Sequence, residues 1–212
     1  MSVRPKSWHW FQRLLHWSMA GVLLYLLAIG VWGSRVLDDT DPEQLLEKFS
    51  LIQTHKSWGA LLLFLWVLRV AWRALTRPPA VSSPVARAVH LAMYVLMFAL
   101  PVTGWLMASA SPLQDTWGLK NMVFGVFEMP DPFDPGSESL AETLKLAHGA
   151  VAALLSVLVV GHIAAALWHG LIMRDGVLKR MMLGDRQATF DAQLRSPNNH
   201  IVAVTDRQGG RS

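Results

Sequence analysis

The sequence predicts an all-α integral membrane protein, a four-helix bundle with both termini in the cytoplasm. Apolar residues make up 52% of its 212 residues and charged residues only 16%, against roughly 25% charged residues in a typical soluble domain. Three stretches of 21, 27 and 28 residues contain no Asp, Glu, Lys or Arg, namely 14–34, 88–114 and 146–173. Each is long enough to cross a hydrocarbon core, which takes roughly 20 residues. This pattern excludes a soluble globular protein.

Four spanning helices are expected, at about 7–33, 50–75, 88–110 and 143–173. The second is an apolar run with only Lys56 near its start and Arg69 near its end. The first is longer than the apolar core of a signal peptide, so we expect it to be retained. The outer loop 111–142 contains four prolines and is expected to be irregular, with a short helix over Ser139–Lys145.

The spans form one expected domain over residues 1–183, followed by a polar tail over 184–212. The tail ends in Gln-Gly-Gly-Arg-Ser, and a segment this polar is expected to be disordered in the cytoplasm. The chain has no cysteine. This absence excludes disulfides, iron–sulfur clusters held by thiolates, and haem attached through a C-x-x-C-H motif.

The charge distribution predicts the orientation in the bilayer. The side with both termini and the loop 69–87 holds fourteen basic and four acidic residues, a balance of +10. The other side holds five basic and eleven acidic residues, a balance of −6. Because basic loops stay in the cytoplasm, both termini are expected there. The net charge of +4 then reflects membrane topology, and we expect no nucleic-acid partner.

Histidines inside the apolar spans are the main candidates for a functional site, because an ionisable side chain there is costly. His148 and His162 are 14 residues apart, close to four turns, so they share one helix face about 21 Å apart. His55 lies at the outer level of His148. His16 lies about three turns into the first helix, at the depth of His162. The depths therefore pair His55 with His148 and His16 with His162.

Two imidazoles facing each other from different helices suit the two axial positions of a haem iron. The pairs therefore predict two haem irons, about 20 Å apart by the helical rise. With both axial positions filled, the expected chemistry is electron transfer rather than oxygen binding. Arg69 follows His55 by 14 residues on the same face and is a candidate partner for a haem propionate or a quinone oxygen.

Motifs in all four spans extend this pattern. The first span carries Leu-Leu-His16-Trp17, the second opens with Thr-His55-Lys-Ser-Trp-Gly59, and the third contributes His90-x-x-x-Tyr94. The fourth reads His148-x13-His162-Ile-Ala-Ala-Ala-Leu-Trp-His169 and is followed by Arg-Asp-Gly-Val-Leu-Lys-Arg180. From about residue 8 to residue 183 the chain resembles the bacterial cytochrome b561 family, whose members are four-helix di-haem membrane proteins and include a superoxide oxidase.

The resemblance implies two b-type haems, one ligated by His16 and His162 and the other by His55 and His148. It implies a quinone near the inner haem, with His169 lining its site. It further implies a multi-pass protein of the bacterial inner membrane that moves electrons between the periplasmic face and the quinone. The electron donor stays open between superoxide, which would make the chain a superoxide oxidase, and a periplasmic protein or small reductant.

The electron donor and the class of function each leave alternatives open. An outer balance of −6 opposes long-range steering of superoxide, an anion, and suits a basic soluble partner, whereas Lys56 and Lys145 flank the outer histidines. The chain also fits a haem-binding membrane anchor of a dehydrogenase or hydrogenase.

A histidine-lined transporter of metal ions or protons is the alternative of another class. Transport ligands should converge near the midplane, whereas these histidines divide into two levels. His9 and His90 are left without a predicted role.

Overall fold

The computed structural model describes residues 8–38, 40–76, 83–112, 114, 118, 120–133 and 136–184. Four long helices make up most of this structure. They are α1 (Trp10–Arg35), α2 (Pro42–Leu75), α3 (Pro84–Ala110) and α4 (Glu138–Leu167). A π-helical turn over Trp168–Met173 continues α4, and the short helix α5 (Val177–Leu183) follows it.

All four long helices have the length and apolar composition of membrane spans, which confirms the predicted all-α bundle. The two ends of the described chain lie together, because the Arg13 guanidinium donates to the Met182 carbonyl at 3.1 Å. We call this end of the bundle the inner end and the opposite end the outer end. The location of both termini in the cytoplasm stays a prediction from the charge distribution.

Two helices begin well before their apolar stretches. α2 begins at Pro42 rather than near residue 50, and α3 begins at Pro84 rather than near residue 88. The side chains of Asp41 and Ser83 accept N–H groups of the first turns, and proline at the first helical position has no N–H that needs a partner. The expected bounds followed hydrophobicity alone and so omitted these polar first turns.

The first residues of α1 and α4 also differ from the expected bounds. α4 begins at Glu138 rather than near residue 143, so the short helix expected over Ser139–Lys145 is the first part of the last span. α1 begins at Trp10 rather than near residue 7, because His9 caps it through a 3.2 Å bond from the Phe11 N–H to Nδ1. Residues 185–212, nearly all of the expected polar tail, lie outside the described residues.

The core of the bundle is a cluster of aliphatic side chains from all four spans. Extensive contacts join α1 to α2, α2 to α3 and α3 to α4. The most buried members are Met19, Leu23, Leu26, Leu62, Leu100, Leu155 and Val159. Because lipid tails are as apolar as these side chains, the helices associate through close packing and interhelical hydrogen bonds rather than through hydrophobic transfer. Packing defects should therefore be costly.

Leu155→Ala is expected to lower the free energy of unfolding by about 2–5 kcal/mol, the usual range for a leucine removed from a close-packed core. Leu155 has no exposed surface, whereas the preceding Leu154 is 53% exposed on the lipid-facing side. Leu154→Ala is therefore a matched control, with an expected change within about 0.5 kcal/mol. Denaturant unfolding in detergent micelles measures both, and equal losses would contradict the packing described.

The outer loop contains a small β-hairpin, so the expectation of an irregular loop is wrong for this segment. Strands β1 (Met122–Val123) and β2 (Phe127–Glu128) pair antiparallel. The intervening Phe124 and Gly125 have φ of 50° and 68°, as a type I′ hairpin turn requires. The Phe124 N–H donates to the Ser57 hydroxyl of α2 at 2.9 Å, which fixes the hairpin beside the outer end of α2.

At the inner end the chain folds back on itself after the last span. Arg174 and Gly176 adopt left-handed conformations with φ of 51° and 76°, which turn the backbone away from the α4 axis. The Trp17 indole N–H then donates to the Met181 carbonyl at 3.3 Å. α5 therefore lies against the inner part of α1, next to the position of His16.

Candidate functional site

Four of the candidate histidines form two pairs, each joining α4 to another helix. The ring centroids of His16 on α1 and His162 on α4 lie 6.2 Å apart, and those of His55 on α2 and His148 on α4 are also separated by 6.2 Å. Neither pair links helices that share an extensive backbone contact. The imidazoles therefore bridge the wider gaps in the bundle, in the combinations that the depth comparison predicted.

His148 in the outer pair is oriented by α3. Its Nδ1 lies 3.0 Å from the Leu100 carbonyl oxygen and 3.2 Å from the Thr103 hydroxyl. A carbonyl oxygen only accepts hydrogen bonds, so Nδ1 carries the ring proton in this arrangement. In the neutral imidazole this leaves Nε2 unprotonated. That state is the one a metal-ligating histidine needs, with its other nitrogen bonded to a carbonyl.

Two glycines leave room for the outer histidines. A Cβ at Gly104 of α3 would lie 3.0 Å from Cε1 of His148, and a Cβ at Gly30 of α1 would lie 3.3 Å from Cε1 of His55. The Nδ1 atom of His55 is buried and has no hydrogen-bond partner among the described residues. Buried polar atoms without a protein partner call for an explanation such as a bound group.

The inner pair has a third histidine beside it. The His90 ring of α3 lies 5.5 Å from the His162 ring, so α1, α3 and α4 each contribute an imidazole to this cluster. The sequence alone predicted no role for His90. Its position in the first two turns of α3 places it near the depth of His162, so the comparison of depths used for the other histidines could have found it.

Arg69 lies at the inner cluster, where it links three helices. Its Nε donates to the Tyr94 hydroxyl at 2.9 Å, and one terminal nitrogen donates to the Gln12 carbonyl at 3.3 Å. The other terminal nitrogen lies 3.4 Å from Nδ1 of His16. The guanidinium therefore places a fixed positive charge beside the inner imidazoles.

His169 forms a histidine–carboxylate pair at the inner end. It lies in the π-helical turn, 44% of its side chain is exposed, and its Nδ1 is 2.5 Å from the Asp175 carboxylate. The Val177 N–H donates to the other carboxylate oxygen at 3.0 Å. This backbone bond, and after it the bond to His169, lower the pKa of Asp175 below its usual value. The carboxylate therefore stays ionised at neutral pH and holds the start of α5.

Acidification is expected to loosen α5. Because the folded-state pKa of Asp175 lies below the unfolded value of about 3.9, its stabilising contacts are complete above that value and are lost as the pH falls through the lowered pKa. Amide hydrogen exchange over 177–183 should therefore accelerate at low pH by more than the chemical exchange rate predicts. Asp175→Asn keeps an acceptor oxygen but does not titrate, so the same transition in this variant would contradict the assignment.

Comparison with known proteins places the chain in a family. The family model described as prokaryotic cytochrome b561 matches residues 7–184. The chain belongs to this family. It is 31% identical over 186 residues to cytochrome b561 homolog 2 of Escherichia coli, covering 84% of this chain and 92% of that protein. It is also 31% identical over 185 residues to the probable superoxide oxidase CybB of Yersinia pestis, covering 84% of this chain and 96% of that protein.

Family membership confirms the resemblance seen in the motifs. This prokaryotic cytochrome b561 is a multi-pass protein of the bacterial inner membrane and takes part in electron transfer. The family implies haem b as the cofactor. A third relative, cytochrome b561 homolog 1 of Escherichia coli, is 27% identical over 181 residues, covering 81% of this chain and 94% of that protein.

The histidine pairs of this cytochrome fit a b-type haem. Imidazole nitrogens lie about 2 Å from a bound metal, and each nitrogen lies about 1 Å from its own ring centroid by standard bond lengths. Two imidazoles on opposite sides of one metal therefore place their centroids about 6 Å apart, and both pairs are separated by 6.2 Å. The unprotonated Nε2 of His148 agrees with this fit.

Proposed function

We propose that this cytochrome holds two b-type haems, between His16 and His162 and between His55 and His148, and carries electrons between the outer face and a quinone. The main support is the presence of two cross-helix imidazole pairs, each 6.2 Å apart. On α4 the members of the two pairs are 14 residues apart, or about 21 Å by the helical rise. This separation supports one haem towards each membrane surface.

Haem b supplies reversible one-electron chemistry when bound. The protein's part is to fix the ligands and set the surrounding charge. At the outer pair, the Leu100 carbonyl holds the His148 tautomer, and a hydrogen-bonded ligand is a stronger base. At the inner pair, the Arg69 guanidinium lies 3.4 Å from His16. A nearby positive charge favours the reduced state of a redox centre, so electrons should tend to collect at the inner end.

The quinone is proposed to bind near His169, where protons can reach it from the cytoplasm. Reducing a quinone to a quinol takes up two electrons and two protons. His169 is seven residues beyond His162, about 10 Å further along the helix, and its Nδ1 contacts the Asp175 carboxylate. Water can protonate the exposed His169 imidazole directly, the ionised Asp175 carboxylate holds the ring in place, and the imidazole can pass a proton to a quinone oxygen.

Superoxide is the proposed electron donor at the outer face, on the strength of the relative that is named a probable superoxide oxidase. Oxidising two superoxide ions to oxygen releases the two electrons that one quinone takes up. Local charge gives this donor little further support. Lys145 pairs with Glu142 at 3.1 Å, and Lys56 lies close enough to Asp131 for electrostatic attraction. The acidic outer loops suit a basic protein donor equally well.

The test is quinone reduction by purified protein in detergent, driven by an enzymatic superoxide source. Superoxide-dependent quinol formation is expected, and it should vanish when superoxide dismutase is added. Haem reduction by a basic periplasmic protein, with none by superoxide, would replace superoxide as the donor and leave the cytochrome function intact.

His169→Gln is expected to slow quinone reduction by at least about tenfold, because a positioned proton donor contributes roughly 10²–10⁴-fold to such steps. Haem content should stay unchanged, since His169 is in neither pair. His9→Gln is the matched control: His9 caps α1, and its loss should leave the rate unchanged. A normal rate in His169→Gln would rule out the proposed proton path.

A further inference from the structure

A groove lies between α2 and α3 at the inner end, and its lining includes His90 and Tyr94, which adjoin the inner histidine cluster. Its volume is about 570 Å³, and its walls are mostly apolar, with Trp66, Leu91 and Phe98 among them. Leu91 is 65% exposed and Phe98 is 43% exposed. The groove is therefore open to the lipid along its length.

The inner end of the groove is positively charged. Arg73 and Arg87 line it, two and three residues from the ends of α2 and α3 that flank the loop between them. Within the described part of the chain, neither guanidinium forms an ion pair; Arg73 lies over the Tyr94 ring at 5.7 Å. No Asp or Glu occurs between Glu47 and Asp115, while the connecting loop adds Arg77. Among the described residues, the parts of α2 and α3 that line the groove therefore offer these arginines no acidic partner.

The order of these residues along the helices matches the shape of a phospholipid. α2 approaches the inner end as it passes from Trp66 to Arg73, and α3 leaves the inner end as it passes from Arg87 to Phe98. The apolar walls therefore extend about 10–16 Å into the membrane from the two arginines, by the helical rise. Guanidinium groups at the ends of spanning helices lie at the depth of the lipid phosphates.

We propose that this groove binds an anionic phospholipid of the cytoplasmic leaflet, with its phosphate between Arg73 and Arg87 and an acyl chain against Trp66 and Leu91. Basic pockets between spanning helices on this side are suited to anionic head groups, and guanidinium groups bind phosphate through paired hydrogen bonds. A neutral quinone would leave both charges uncompensated. The assignment does not depend on the proposed electron donor or quinone.

Native mass spectrometry of the intact haem-loaded protein tests the proposal, with stepwise addition of phosphatidylglycerol or of phosphatidylcholine carrying the same acyl chains. Tighter binding of phosphatidylglycerol is expected. Arg73→Gln and Arg87→Gln should each weaken it by roughly tenfold, as expected for a lost charge-assisted hydrogen bond. Lys179→Gln removes one positive charge from the exposed α5 at the same end and should leave phosphatidylglycerol binding within about twofold.

A further variant and competing ligands distinguish a bound phospholipid from other occupants of the groove. Val95→Trp fills the apolar wall, so it should weaken phosphatidylglycerol binding while haem content stays normal. Equal binding of the two lipids, or unchanged phosphatidylglycerol binding in the double arginine variant, would overturn the proposal. Competition by inorganic phosphate at the lipid's own concentration, or displacement by a long-chain quinone at equal concentration, would also overturn it. Loss of haem in the double variant would overturn it as well, because it would assign the arginines to a haem propionate.

Discussion

Replacing His148 by alanine is expected to lower the haem content of this cytochrome from two per chain to one. His148 and His55 are separated by 6.2 Å and form the outer pair, while His16 and His162 form a separate inner pair. Removing one axial ligand should release the outer haem without disturbing the inner one. The pyridine haemochrome assay measures the loss, and redox titration should show the outer component missing.

Two further variants make this result specific. His162→Ala should remove the other component and keep the outer one. His90→Ala is the matched control, because His90 contacts His162 at 5.5 Å and is assigned to neither pair; it should keep both haems. If His148→Ala kept both haems, or if His90→Ala lost one while His16→Ala did not, the proposed pairing would be wrong.

Gly104→Val is expected to lose the outer haem although every histidine is kept. A Cβ at this position would lie 3.0 Å from Cε1 and 3.2 Å from Nδ1 of His148, closer than such atoms normally approach. A valine side chain is larger still, so the imidazole must leave the Leu100 carbonyl, which fixes its orientation. Misoriented ligands bind metals roughly 10–100-fold more weakly. Haem quantification should give about one haem per chain.

Gly33→Ala is the control for this substitution. Gly33 also lies towards the outer end, but a Cβ there meets no atom within 4 Å, so both haems should be kept. Two haems in Gly104→Val, with an unchanged spectrum, would show that His148 does not need the position that the structure gives it.

The sequence was sufficient to predict the four spans and the histidine neighbours. Long charge-free stretches require spanning helices, and the regular rise of a helix converts residue numbers into depths. Depth alone placed His16 near His162 and His55 near His148, and the structure brings these rings together. Their role as haem ligands stays a prediction.

Other features depend on properties that hydropathy and depth do not specify. The Arg69 bonds to Tyr94 and Gln12 require the rotation of three helices relative to one another. The outer hairpin depends on a Phe124-Gly125 turn with two positive φ angles, whereas the four prolines of this loop predicted an irregular segment. The early start of α2 was predictable, because Asp41 and Pro42 are a standard cap and first residue, but the expected bounds relied on apolar length.

Haem stoichiometry of the purified wild-type protein tests the central claim most directly. The pyridine haemochrome assay, combined with a reduced-minus-oxidised spectrum and a protein determination, should give two b-type haems per chain, both low-spin and reducible. One haem per chain after expression with ample haem would contradict the two-pair assignment. No haem at all would contradict the proposed electron path altogether.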